Sequence, residues 1–260
     1  MKNLRVYGNK PFRVAVIHGG PGAAGEMAPV ARELSSVSGV LEPLQTAGTL
    51  TGQVRELKAV LEESGTPPLT LVGFSWGAML SFIFTARHPA PVRKLILVGS
   101  GPYEEKYAAG IMESRLRRLG EDERIQALSL IGSLNDPATG DKNTAMARLG
   151  ELISRADSYD PLPHDSEIIG CRYDIYRGVW DEACRLRNSG QLLKLGKRIA
   201  CPVVAIHGDY DPHPAGGVQK PLSRRLKDFR FILLPNCGHQ PWTERDARNK
   251  FYNILKNEIE

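Results

Sequence analysis

The 260-residue sequence has few cysteines and no basic block. Its first residues, MKNLRVYGNKPFRV, lack an apolar signal core, so we expect no secretory signal. Its four cysteines, Cys171, Cys184, Cys201 and Cys237, form no CxxC pair and no spacing suited to zinc. A chain of this length buries a full core without disulfide bonds, and its length suits one or two domains. We therefore expect reduced thiols, no metal site and a cytoplasmic protein.

The positive charge is also dilute. Lysine and arginine total 34 against 29 acidic residues, so the net charge is +5, and it is spread along the chain. A nucleic-acid-binding protein concentrates such charge in a stripe, so we expect no nucleic-acid partner. Residues 64–86 hold no charged side chain, but Pro67, Pro68, Gly73 and Gly77 interrupt them. This stretch therefore predicts a buried strand, a turn and a buried helix, with no membrane segment.

Glycine and proline are plentiful, at 26 and 18 residues, which indicates many tight turns. Short apolar runs alternate with helical patterns. Strands are predicted at Phe12–Ile17, Val40–Leu44, Leu69–Phe74, Leu95–Val98, Pro202–Ile206 and Phe229–Leu234. Helices are predicted at Ala23–Ser36, 50–61, Trp76–Arg87 and 218–226, with a last one around 247–255 behind a Thr243–Asp246 capping box. Continuous apolar strands separated by helices favour an α/β fold with a mostly parallel sheet covered on both faces.

The alternation stops between residues 103 and 189, where about four helices and no strand are predicted. The sequence thus predicts an α/β core from residues 1–102 and 190–260, with residues 103–189 as a helical cap. Open parallel sheets place ligands at the carboxyl ends of their strands. The turns that follow the predicted strands are therefore the places to search for a functional site.

The sharpest of these turns is Gly73-Phe74-Ser75-Trp76-Gly77, which matches G-x-S-x-G between a predicted strand and a predicted helix. This context indicates a nucleophile elbow, in which a strained backbone exposes Ser75 Oγ above the sheet. The flanking glycines let the strand and the helix approach closely. The N–H of Trp76 then lies at a helix N-terminus beside Ser75, where it stabilises negative charge.

A second turn, His18-Gly19-Gly20-Pro21-Gly22, follows the first predicted core strand and suits the second donor of an oxyanion hole. We assign that donor to the backbone N–H of Gly20, with Gly19 as the alternative. Neither a Walker loop nor G-x-G-x-x-G is matched, so a phosphate-binding loop is not favoured. His18 is interpreted as a residue that orients the loop.

Two later turns supply an acid and a base. His207-Gly208-Asp209-Tyr210-Asp211 follows a late strand, and we prefer Asp211 as the acid, with Asp209 as a residue that caps the loop. His239 follows the last strand, so the chain order is Ser…Asp…His, as elbow hydrolases require. His213 lies close to Asp211 in sequence and is a candidate for contact with substrate.

Together these motifs resemble the α/β-hydrolase family, in family order along nearly the whole chain. The pair HGGPG and G-x-S-W-G looks most like the proline iminopeptidase branch, which removes an N-terminal proline. The resemblance implies an α/β-hydrolase fold with a helical cap, and a short N-terminal segment that lacks one or two leading strands. The D-x-R-G-x-G-x-S stretch of that branch is replaced here by residues 44–49.

The same branch uses cap carboxylates to hold the free amine of its substrate. In this chain the resemblance assigns that role to Asp181 and Glu182, beside Trp180.

The predicted function is a serine hydrolase that cleaves a small ester or amide through an acyl-enzyme. Ser75 attacks, His239 accepts its proton, Asp211 orients His239, and the N–H groups of Gly20 and Trp76 hold the oxyanion. The substrate is a small molecule or short peptide, no cofactor is needed, and the oligomeric state stays open. The alternatives are a proline iminopeptidase-like aminopeptidase, a C–C bond hydrolase and a non-catalytic binding protein of the same fold.

Overall fold

The structure, a computed structural model that describes residues 3–260, is built on one seven-stranded sheet. The strands are β1 Leu4–Tyr7, β2 Phe12–Ile17, β3 Gly39–Pro43, β4 Leu69–Phe74, β5 Val92–Val98, β6 Val203–Gly208 and β7 Phe229–Leu234. Their spatial order is β1-β3-β2-β4-β5-β6-β7, and only the β1–β3 pair among these neighbours is antiparallel. The prediction of a mostly parallel sheet is confirmed.

Ten α-helices accompany the strands in the described part of the chain. They are α1 Ala28–Leu34, α2 Leu50–Ser64, α3 Trp76–Arg87, α4 Ile111–Arg118, α5 Glu121–Asn135, α6 Lys142–Asp157, α7 Tyr173–Asn188, α8 Gln191–Leu195, α9 Gly216–Ser223 and α10 Arg248–Ile259. Within residues 3–260, no helix combines the length and the apolar character needed to cross a membrane.

Alternate residues of each central strand point to opposite faces of the sheet, and helices cover both faces. In β2, Ala15 and Ile17 belong to a core shared with α2, α3, α8 and α9. Val14 and Val16 belong to the opposite core, which α1 and α10 complete. Burial on both sides explains why these strands read as continuous apolar runs.

The segment between β5 and β6 is helical. Helices α4 to α6 share a small cluster of their own, formed by Leu119, Ala127, Leu152 and Ala156. Helix α7 instead joins the main core through Ile175, Val179 and Ala183. The division of the chain at residues 103 and 189 stays a prediction, and we call α4 to α7 the cap below.

Three local predictions differ from the structure. Helix α1 begins at Ala28 and not at residue 23, because Gly25 adopts φ +99° in a turn that precedes it. The capping box predicted at Thr243 and Asp246 is wrong: α10 begins after Ala247, and Thr243 Oγ1 donates to the carbonyl of Gln240. Strand β1 was not predicted because its four residues lie at a partly exposed edge.

Candidate active site

Ser75 occupies the sharp turn between β4 and α3. Its backbone has φ +50° and ψ −113°, a conformation that strains any residue other than glycine. The Ser75 N–H donates to the carbonyl of Val98 at 2.9 Å, which fixes the turn to the end of β5. The side chain is partly exposed, and its Oγ makes no hydrogen bond to any residue within 3–260. The strained turn therefore presents a Ser75 hydroxyl that has no hydrogen-bond partner in the described part of the chain.

The two glycines around Ser75 allow this close packing. A Cβ added to Gly77 would lie 2.2 Å from the carbonyl oxygen of Ile17, at the end of β2. A Cβ added to Gly73 would lie 2.3 Å from the carbonyl oxygen of Gly77. No real side chain fits at such distances, so glycine at both positions lets α3 start directly against the sheet.

His18 orients the glycine-rich turn after β2. Its Nδ1 donates to the carbonyl of Gly19 at 2.7 Å, and its Nε2 accepts from the N–H of Gln45 at 3.3 Å. Burial lowers the pKa of His18, so the ring is neutral with its proton on Nδ1. Because C=O and N–H point in opposite directions across a trans peptide, the N–H of Gly20 faces away from His18.

Two backbone N–H groups, one on the turn after β2 and one at the start of α3, have no hydrogen-bond acceptor among residues 3–260. The N–H of Gly20, where φ is +31°, has no acceptor among residues 3–260. Trp76 stands at the first position of α3, where a helix leaves the N–H without an intrahelical partner. These are the two donors that the sequence assigns to an oxyanion hole.

Asp211 and His239 lie together at the same edge of the sheet, after β6 and β7. Asp211 Oδ2 accepts from His239 Nδ1 at 2.7 Å, and both side chains are buried. Burial favours the neutral form of Asp211, but the neighbouring imidazoles, His239 first, hold its pKa well below the usual range. Burial also opposes charge on His239, yet the Asp211 carboxylate outweighs it and raises the pKa of His239. His239 is therefore a base that Asp211 orients and strengthens.

His213 is a second histidine on the same carboxylate. Its backbone N–H and its Nδ1 approach Asp211 Oδ1 at 2.9 and 2.8 Å, and its ring centroid lies 4.5 Å from that of His239. Burial lowers the pKa of His213 to about 4, so this ring stays neutral. Aspartate and two histidines are also metal-binding types, but separations of 2.7 to 2.8 Å are those of direct hydrogen bonds.

Asp209 connects the turn after β6, which carries Asp211, to the turn after β7, which carries His239 and is called the histidine turn below. Its Oδ1 accepts from the N–H of Cys237 at 3.2 Å, and the N–H of Tyr210 donates to the carbonyl of Cys237 at 2.9 Å. A Cβ added to Gly208 would lie 2.1 Å from that carbonyl oxygen. Asp209 thus caps the loop, and Asp211 is the carboxylate that reaches His239.

The cap contributes contacts to His239 that the sequence did not suggest. The N–H of His239 donates to the carbonyl of Asp157, at the end of α6, at 2.8 Å. Arg115 on α4 holds the Asp157 carboxylate through two hydrogen bonds of 2.8 and 2.6 Å. No local motif marks Arg115 or Asp157, since they are 42 residues apart and meet only in the folded cap.

Buried Glu244 is a third residue, after Arg115 and Asp157, that the sequence did not suggest. Its carboxylate accepts the N–H of Gly238 at 3.0 Å, of Tyr159 at 2.9 Å and of Asp160 at 2.8 Å. It therefore joins the segment that leaves α6 to the turn that carries His239. A single carboxylate with three backbone donors explains why a charged side chain is buried here.

The residues predicted to hold substrate lie in α7. Trp180 is partly buried and stacks on Tyr176, with ring centroids 6.1 Å apart. Asp181 is exposed. Glu182 Oε2 accepts the N–H of Leu50 at 3.1 Å, at the start of α2. Glu182 therefore has a hydrogen-bond partner at the start of α2, and the substrate-binding role of Trp180, Asp181 and Glu182 stays a prediction.

The alpha/beta hydrolase fold model matches residues 14–241 of the chain. A proline iminopeptidase of Lactobacillus delbrueckii subsp. lactis is 24% identical over 93% of this chain and 88% of its own length. A pimeloyl-[acyl-carrier protein] methyl ester esterase of Chromobacterium violaceum is 23% identical over 74% of this chain and 70% of its own length. The crystal structure of VinJ superimposes with a TM-score of 0.68 at 20% identity, covering 98% of this chain and 93% of VinJ.

Proposed function

The chain belongs to the alpha/beta hydrolase fold family, and we propose that it is a serine hydrolase that cleaves a small ester or amide through an acyl-enzyme. This proposal rests on an arrangement at one edge of the sheet. Ser75, with its strained backbone, lies at the same edge as His239, whose Nδ1 is 2.7 Å from Asp211 Oδ2. The named relatives, a peptidase and an esterase, act on an amide and an ester bond.

In the first step His239 Nε2, the nitrogen not bound to Asp211, accepts the proton of Ser75 Oγ as that oxygen attacks the substrate carbonyl. Asp211 keeps the Nδ1 proton in place and stabilises the imidazolium that forms. His239 then gives the proton to the leaving oxygen or nitrogen as its bond to the carbonyl carbon breaks and the C=O bond forms again. Water, deprotonated by His239, releases the acyl group and restores Ser75.

The tetrahedral intermediate carries a negative oxygen, for which this chain offers the N–H groups of Gly20 and Trp76. The orientation that His18 imposes on the Gly19–Gly20 peptide supports the choice of Gly20 over Gly19. The position of Trp76 at the helix start adds the positive end of the α3 dipole. Loss of one such donor typically costs about 10² to 10³ in kcat.

Substitution of Ser75 by alanine tests the proposal. Ser75→Ala should abolish hydrolysis of a short-chain p-nitrophenyl ester and covalent labelling by a fluorophosphonate. Ser81→Ala is the matched control, because Ser81 lies buried in α3, the helix that follows Ser75, and its hydroxyl has no hydrogen-bond partner among residues 3–260. Full activity of Ser75→Ala would overturn the assignment, and failure of the wild type to react with the probe would favour a non-catalytic binding protein.

The leading alternative is an aminopeptidase that acts on N-terminal proline, and the 24% identical Lactobacillus relative favours it. Hydrolysis of a proline arylamide in preference to the ester would support this alternative. Because Glu182 is engaged at the start of α2, we expect Glu182→Gln to leave the arylamide to ester ratio unchanged. If Glu182→Gln instead loses the preference for the arylamide, Glu182 contributes to substrate binding. Cleavage of a β-diketone alone would instead indicate C–C bond hydrolysis.

A further inference from the structure

We propose that Glu26 is a positioning residue that ties the Gly19–Gly20 turn to the turn that carries His239, and so holds the oxyanion donor in register with the base. The inference rests on the proposed function of Ser75 and His239 and extends it to a residue outside the triad. No motif singles out Glu26, which stands just before α1.

One carboxylate oxygen of Glu26 reaches the histidine turn. Gln240 Nε2 donates to Glu26 Oε1 at 2.8 Å, although 214 residues separate the two in sequence. Gln240 directly follows His239, whose backbone N–H and side chain are themselves fixed by Asp157 and Asp211. A movement of the Glu26 side chain therefore acts on the residue next to the base.

The other oxygen lies against the oxyanion turn. A Cβ added to Gly19 would be only 2.5 Å from Glu26 Oε2, and 2.7 Å from the Phe74 ring on its other side. The backbone of Gly19 also acts on the Glu26 carboxylate, because it lowers the pKa of that group against the larger effect of burial. His18 holds the Gly19 carbonyl and Glu26 Oε2 lies against Gly19, so the two side chains together fix the orientation of the Gly19–Gly20 peptide, whose N–H faces away from His18.

The Glu26 carboxylate links the Gly19–Gly20 turn to the turn that carries His239, and we call this link the bridge. It can contact both turns well only when it is ionised. An ionised carboxylate accepts from Gln240 and Gly19 at once, whereas a protonated one turns a donor towards one of them. Burial raises the pKa of Glu26 to about 7, with the charge of His239 and the donors Gln240 and Gly19 acting in the opposite direction. Cys171 of the segment before α7 also faces this carboxyl, and its pKa is raised chiefly by burial.

The bridge should matter most in the transition state. The oxyanion exists only after Ser75 attacks, so a displaced donor weakens transition-state binding and leaves substrate binding nearly unchanged. A misplacement of about 1 Å in a catalytic constellation can cost about 10²-fold in rate. Loss of the Glu26 carboxylate should accordingly lower kcat and leave KM almost unaltered.

The experiment compares Glu26→Ala, Glu26→Gln and a matched Glu42→Gln control in steady-state hydrolysis of a neutral p-nitrophenyl ester. Glu42 is also a buried carboxyl whose pKa burial raises to about 7, but it binds Tyr7 at the β1–β3 edge. We expect kcat of Glu26→Ala to fall about 10- to 100-fold, with KM within about threefold. Glu26→Gln keeps one acceptor and should fall less, and Glu42→Gln should retain the wild-type kcat.

Two further measurements separate positioning from a general loss of structure. Rates are normalised to the fraction of protein that a fluorophosphonate labels, so unfolded variants do not lower kcat. In the wild type, turnover is favoured by both an ionised Glu26 and a neutral His239, so log kcat/KM should fall with a slope steeper than 1 as the pH drops below about 7. Glu26→Gln should restore a slope of 1.

Unchanged kcat in both Glu26 variants would overturn the inference. So would a rise in KM confined to substrates with a free amine, which would make Glu26 a substrate-binding group. Neither result bears on Ser75, whose alanine variant tests the proposed function separately.

Discussion

The carboxylate of Asp211 and the imidazole of His239 lie 2.7 Å apart, although 28 residues separate them in sequence. They meet because β6 and β7 are parallel neighbours, so the turns that follow both strands emerge at one edge of the sheet. The contact buries both side chains and leaves His239 Nε2 as the free ring nitrogen.

Replacement of Asp211 by asparagine should reduce kcat by about 10⁴-fold, because an amide in this position favours the wrong imidazole tautomer. The measurement is steady-state hydrolysis of a p-nitrophenyl ester. Asp209→Asn is the control, since an asparagine Oδ1 still accepts the N–H of Cys237 and holds the loop. Equal activity of the two variants would contradict the assignment of the acid.

The pKa of His239 should lie above 6.5 in the wild type and fall in Asp211→Asn. Burial favours the neutral ring, and the Asp211 carboxylate outweighs burial only while it is charged. Activity needs the neutral ring, so the wild-type rate should increase as pH rises through this raised pKa. A titration of the His239 imidazole by nuclear magnetic resonance gives the value directly. An unchanged pKa in the variant would show that Asp211 does not act on His239 electrostatically.

Alanine should have opposite effects at two helical glycines. Gly77→Ala places a Cβ 2.2 Å from the Ile17 carbonyl oxygen, so the elbow must shift and the thermal midpoint and activity should both fall. Gly150, in α6, has nothing within 4 Å of an added Cβ. Gly150→Ala should therefore raise the free energy of unfolding by up to about 1 kcal/mol. Thermal unfolding of both variants tests the prediction, and a tolerated alanine at Gly77 would contradict the close packing.

Glu42→Gln should stabilise the protein increasingly as pH rises. Burial raises the pKa of Glu42 from 4.5 to about 7, so the folded state binds this proton more tightly than the unfolded state. The resulting stabilisation is complete below pH 4.5 and is lost as pH rises through about 7.

Glutamine cannot ionise, so the advantage of Glu42→Gln should grow by about 3 kcal/mol between pH 4.5 and 8. Urea unfolding across this pH range measures it. Lys58→Gln, which removes an exposed ion pair with Glu62, should show little pH dependence. A constant difference between Glu42→Gln and the wild type would mean that folding does not raise the pKa of Glu42.

Local sequence patterns were sufficient to predict the sharp turn that carries Ser75. Strand β4 and helix α3 have the predicted bounds, because a short, mostly apolar run and an apolar helix can each be recognised without their neighbours. The positive φ of Ser75 follows from the glycines beside it and from the strand-to-helix turn that they permit. The order of strands and helices along the chain also followed from local patterns, and so did the turns that were examined for functional residues.

Contacts between distant segments were decided only by the tertiary structure. The Thr243–Asp246 pattern suggested a cap, but packing of the histidine turn gave Thr243 a different partner. The contact of Glu182 with the N–H of Leu50 joins residues 132 positions apart, and no local pattern predicts it. The meeting of Glu26 with Gln240, 214 residues apart, leaves no trace in spacing or periodicity. Sequence patterns indicate which side chains of each segment are buried. Hydrogen bonds between distant residues depend instead on how the sheet and the cap bring separate turns together.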